Sequence, residues 1–96
     1  MNKETFDHVL KELADSNFRV EISEYHEKAF GSWHITLMTA PKRRLVWNGK
    51  EHWYVVEEET AEKFNGMNKW NDIWADRHPK KDSVQIGVKF LCGGKA

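Results

Sequence analysis

The sequence predicts a small α+β domain, and three observations carry that prediction. Apolar residues recur at helical spacing near the start of the chain, at Phe6, Val9, Leu10 and Leu13. The period then falls to two, as Phe18, Val20 and Ile22, and later Trp33, Ile35 and Leu37, alternate with polar neighbours. All five tryptophans, Trp33, Trp47, Trp53, Trp70 and Trp74, fall in the central stretch. Each indole can withdraw roughly 150–250 Å² from water, about 4–6 kcal/mol gross, so a few of them supply much of a small core. A chain of 96 residues is one domain, 1–96, able to fold without a metal or a disulfide.

The first element is a helix over about Lys3 to Ala14, with Asn2 as its N-cap and Asp15-Ser16-Asn17 as its exit. Two half-buried strands follow, with Phe30-Gly31 in the turn between them. Asn48-Gly49 is a two-residue hairpin signal, but that turn would set Val46 against Glu51 and Leu45 against His52. A five-residue loop, Asn48 to His52, pairs Trp47 with Trp53, Val46 with Tyr54 and Leu45 with Val55, so every pair is apolar. On that register Leu45, Trp47, Trp53 and Val55 face the N-terminal helix with Trp33 and Ile35, while Val46, Tyr54 and Val56 face away.

That second apolar side needs a cover. Trp70 and Trp74 are four residues apart, on one side of the segment 70–74 whether it is helical or extended, and they are expected to provide it. The stretch 57–68, with Glu57, Glu58, Glu59, Glu62 and Gly66, reads as a polar connector. Val84, Ile86, Val88 and Phe90 alternate like a strand, yet Asp82 with Gln85 resembles a capping box and Gly93-Gly94 a helix end, which favours a C-terminal helix. The expected architecture is therefore an N-terminal helix, a four-stranded antiparallel meander, a tryptophan-bearing segment and a C-terminal helix packed on the sheet.

Composition excludes several functions. Fifteen Lys and Arg balance fifteen Asp and Glu, so no global field draws the chain to nucleic acid or an anionic membrane. The single cysteine, Cys92, forms no intramolecular disulfide, and the first ten residues are charged where a secretory leader would be apolar, which places the chain in the cytoplasm. No run of residues is apolar enough to span a membrane. The five histidines lack the close spacing of a metal site, and Cys92 has no CxxC partner, so no metal or cofactor is expected. Ser32 has no nucleophile-elbow context and the glycines form no phosphate loop, so no catalytic residues are assigned.

Two binding functions remain. Lys42, Arg43 and Arg44 precede the aromatic hairpin and Lys50 lies in its loop, a set of cations beside rings that could bind single-stranded nucleic acid. The preferred reading is non-catalytic binding of a protein partner through Tyr54, Trp70, Asp72 and Trp74, aromatic residues rimmed by a polar one. The run Ser32-Trp33, Arg44-Leu45-Val46-Trp47-Asn48-Gly49, Trp53 and Asp72-Ile73-Trp74 resembles small bacterial proteins marked by recurrent tryptophans, among them the TriTu group of immunity proteins encoded beside polymorphic toxins. The resemblance implies a cytoplasmic inhibitor that binds a toxin domain and carries no catalytic residues.

Overall fold

A computed structural model describes residues 2–93. Helix α1 (Asn2–Asp15) is followed by strands β1 (Val20–His26), β2 (Ser32–Leu37), β3 (Arg43–Asn48), β4 (Trp53–Phe64) and β5 (Met67–Asp76), then helix α2 (Ser83–Leu91). The strands pair with their chain neighbours, all antiparallel, in the order β1-β2-β3-β4-β5. The α+β class and both helices agree with the sequence reading. The sheet has five strands rather than four.

The fifth strand comes from the stretch expected to be a connector. β4 and β5 meet at Asn65-Gly66, with φ of 53° and 80°, and Phe64 pairs with Met67 across it. Two positive φ values are what a type I′ hairpin turn requires, and Asn-Gly supplies them at least strain. The start of the acidic run is paired with cations on the preceding strand, β3. Arg44 Nε lies 2.7 Å from Glu57 Oε1, and Arg43 Nε lies 2.9 Å from Glu58 Oε2.

The two helices cover one face of the sheet. Phe6, Val9 and Leu13 of α1 are buried in the same cluster as Trp33, Ile35, Leu37, Leu45, Trp47, Tyr54 and Val56, which Val88 and Leu91 of α2 complete. Phe6 meets Tyr25 and Trp33 with ring centroids 5.8 and 5.6 Å apart. α1 ends where Phe18 N–H donates to the Leu13 carbonyl and Asn17 takes a φ of 63°, a left-handed exit that asparagine tolerates. Gly87 of α2 lies against the sheet. A Cβ there would stand 3.0 Å from both Leu45 and Trp74.

The expected register of the central hairpin is corrected by one residue. Trp47 pairs with Tyr54, Val46 with Val55 and Leu45 with Val56, so the loop has four residues, 49–52. Asn48 Oδ1 organises it by accepting the N–H groups of Lys50 and Glu51 at 3.0 and 2.9 Å, and Gly49 N–H donates to Ser32 Oγ. Matching apolar pairs could not separate the two loops, because both registers give Leu45, Val46 and Trp47 apolar or aromatic partners. A slip of one exchanges the faces of the whole strand. Tyr54 and Val56 therefore face the helices, while Trp53 and Val55 do not.

Two bulges make the same exchange within strands. On β1, Val20 pairs with Leu37 and Ile22 with Thr36, so Glu21 is the extra residue and Ile22 leaves the core face that Val20 keeps. On β5, Val56 pairs with Trp74 and the next residue, Glu57, pairs with Asp72, so Ile73 is extra. Trp70, opposite Glu59, consequently faces away from Trp74. The expectation that these two rings share a side is overturned.

Candidate functional site

The face turned away from the helices carries Glu24, His26, His34, Arg44 and Val46 on β1 to β3, Trp53, Val55 and Glu57 on β4, and Trp70, Asp72 and Ala75 on β5. No helix among the described residues lies on it. Its two tryptophans are each capped by an arginine. The Arg44 guanidinium carbon stands 4.1 Å from the Trp70 ring centre, and that of Arg77 stands 4.0 Å from Trp53. A guanidinium over the face of an indole gains from the ring quadrupole. Between the two stacks lies a cleft of about 180 Å³ lined by Trp53, Tyr54, Val55, Glu57, Asp72, Ala75 and Arg77.

The four residues singled out from the sequence are divided between the two faces. Trp70 and Asp72 stand on the open one. Tyr54 is only 9% exposed, with its ring 6.1 Å from Trp33 and 4.6 Å from Trp47, and burial holds its hydroxyl above the ordinary tyrosine value. It can border the cleft only through its backbone. Trp74 stacks on Phe90 of α2, rings 5.8 Å apart and 17° from parallel. Trp53 and Arg77 belong to the open face and were not singled out, because the register that would have placed them there was missed.

The basic cluster is also divided. Lys42 Nζ lies 2.8 Å from Glu21, Arg44 pairs with Glu57, and Arg43 turns to the helix side, where it pairs with Glu58 and donates to the Phe90 carbonyl at 2.6 Å. Lys50 is exposed in the loop after β3. Each member of the Lys42–Arg44 run therefore has a carboxylate within reach.

At the other end of the face His26 and His34 lie with ring centres 5.7 Å apart, and Glu24 carboxylate oxygens stand 3.3 Å from His26 Nε2 and 4.0 Å from His34 Nε2. Burial lowers the His34 value, an effect that Glu24 opposes and that His26 and Arg44 reinforce. Among the described residues no group of three or more His, Cys, Asp or Glu side chains is arranged to hold a metal ion. Cys92 is half-buried, and burial together with Glu12 pushes its thiol up, away from the reactive thiolate. No described helix is long and apolar enough to cross a membrane. The geometry of the open face is what bears on function, and no family model, curated protein or solved structure matches the chain.

Proposed function

We propose that this chain is a non-catalytic protein-binding domain that meets its partner with the open sheet face. The observation that carries the reading is the pair of arginine-capped tryptophans, Trp70 under Arg44 and Trp53 under Arg77, on the side that no helix among the described residues covers. Tryptophan and arginine are the side chains that most often dominate binding energy, and holding them in place beforehand reduces the ordering cost of association. The resemblance of the tryptophan-bearing segments supports a toxin domain as the partner and the cytoplasm as the place of neutralisation. The nucleic-acid alternative needs free cations beside free ring faces. Lys42, Arg43 and Arg44 are instead paired with Glu21, Glu58 and Glu57, and both half-buried indoles of this face already carry a guanidinium.

The test is capture from the native cell with the tagged chain and with a Trp53→Ala, Trp70→Ala double variant. The native chain is expected to retain one polypeptide in stoichiometric amount, and the variant to lose it while keeping its fold. Where the captured polypeptide is a toxin domain, the native chain should restore growth of cells that express it. Failure to retain any specific polypeptide sinks the reading. Quenching of tryptophan emission by short single strands at low salt would favour the alternative.

A further inference from the structure

The cleft between the two arginine–tryptophan stacks has a floor and two walls of different chemistry. Its floor is Val55 and Ala75, which face each other across β4 and β5. The hollow exists because Ala75 contributes a single methyl between the larger side chains of Asp72 and Arg77. One wall is Trp53 with Arg77 lying on it. The other is Glu57 and Asp72, directly opposite one another in the ladder. Like charges in that position weaken a strand pair. Arg44 neutralises Glu57 through Oε1 alone, and the Asp72 carboxylate has no hydrogen-bond or ion-pair partner among the described residues. Two carboxylates thus lie side by side, and only that of Glu57 is paired with a cation.

Resting on the protein-binding reading above, we infer that this cleft receives an arginine side chain of the partner, its methylenes on Val55 and Ala75 and its guanidinium between Asp72 and the second oxygen of Glu57. A planar guanidinium offers parallel N–H donors that match two neighbouring carboxylate oxygens. Arg77 fixes the direction of entry. Its guanidinium carbon stands 4.0 Å from the Trp53 ring centre, it forms no ion pair with Asp72, and its charge repels a cationic head from the tryptophan wall toward the carboxylate wall. An acidic side chain would meet two like charges there, and an apolar one would strip water from Asp72 without replacing its hydrogen bonds.

The probe is Nα-acetyl-arginine N-methylamide, titrated into the full chain while amide and indole ¹H–¹⁵N signals are followed, with the norleucine and glutamate analogues as controls. The arginine probe should shift Val55, Asp72, Ala75 and the Trp53 indole saturably, with a dissociation constant on the order of millimolar, as expected of so small a ligand. Asp72→Asn should weaken it about tenfold or more, and Ala75→Leu, which fills the hollow and leaves the charges alone, should block it. Absence of a saturable shift, equal shifts from norleucine, or an unchanged titration in Asp72→Asn overturns the assignment. The two proposals fail separately. A partner captured equally by native chain and Asp72→Asn overturns the arginine assignment while leaving protein binding in place, whereas saturable probe binding without any captured partner does the reverse.

Discussion

Trp70 and Trp74 stand four residues apart on β5 and on opposite faces of the sheet, because Ile73 is an extra residue in the ladder with β4. The bulge gives one ring to the core and the other to the candidate binding face. Trp74 closes the space between β4 and α2, where it stacks on Phe90 and comes close to Gly87. Trp70 lies under Arg44.

The two rings should therefore differ in what they contribute to stability. Trp74→Ala is expected to cost about 2–4 kcal/mol, toward the lower end for large aromatic truncations because the ring is partly exposed. Trp70→Ala should cost under about 1 kcal/mol, the scale of an exposed cation–π contact. Urea unfolding of both variants checks the pair; equal losses would mean that the bulge does not divide them.

A similar contrast separates two Asn-Gly dipeptides. A Cβ on Gly49 would stand 2.0 Å from the Phe30 carbonyl oxygen, so Gly49→Ala must move backbone of the β1–β2 turn, at about 2–3 kcal/mol. Gly66 has open space around its Cα but a φ of 80°. Gly66→Ala should cost only the left-handed backbone penalty, about 1–2 kcal/mol. Thermal or denaturant midpoints that rank these in the opposite order would refute the close approach at Gly49.

What was legible in the chain were features with a local cause. The helices could be read from apolar spacing, and α2 from the glycines at its end: Gly93 takes a φ of 96° and its N–H donates to Phe90. Alternation revealed β1 and β2. Face assignment failed wherever it depended on counting, since one residue more or fewer exchanges the two sides, and nothing in the local pattern marks Glu21 or Ile73 as extra. The second half of β4 was hidden because its glutamates look like a solvated connector until Arg43 and Arg44, some 13 to 15 residues earlier, lie beside them. For the same reason the sequence picked out Trp70 and Asp72, which stand on the open face, while it gave no sign that Trp53 and Arg77 stand there too.

His34 predicts a pH dependence. Its folded-state pKa is lowered from 6.5, chiefly by burial, so the folded state binds its proton less readily than the unfolded chain. Stability from this group is intact above the ordinary histidine value and declines as pH falls below it, until the folded-state value is passed. The urea midpoint should drop between about pH 7.5 and 5.5, and His34→Gln should reduce that drop. An identical drop in the variant would place the titration elsewhere.

Asp76 acts in the same sense at lower pH. Ser83 Oγ donates to Asp76 Oδ2 at 2.6 Å and His78 N–H donates to Oδ1 at 2.9 Å, which hold the carboxyl below its ordinary value of 3.8. A depressed carboxyl stabilises the fold above its unfolded value and loses that contribution as pH falls through the folded one. Buried Ser83 also accepts the Lys80 N–H at 2.7 Å, so it ties the end of β5 to the start of α2. Ser83→Ala should cost about 1–2 kcal/mol near neutrality and less at an acid pH that has passed through the folded-state value of Asp76. Denaturation at the two pH values checks it; an equal loss at both would assign the cost to the Lys80 contact alone.

Arg44 holds two partners with one guanidinium, Glu57 through Nε at 2.7 Å and the Trp70 ring at 4.1 Å. Lysine keeps the charge but has neither the fork nor the plane, so Arg44→Lys should leave the fold within about 1 kcal/mol of the native stability while freeing the indole. The expected signature is a fall in the ¹⁵N order parameter of the Trp70 indole toward that of a flexible side chain, with the buried Trp33 and Trp47 indoles unchanged. Partner capture should weaken in parallel, because the ring would have to be ordered again on binding. If the Trp70 indole stays as rigid in Arg44→Lys as in the native chain, the arginine is not what fixes it, and the case for a face organised before binding loses its principal support.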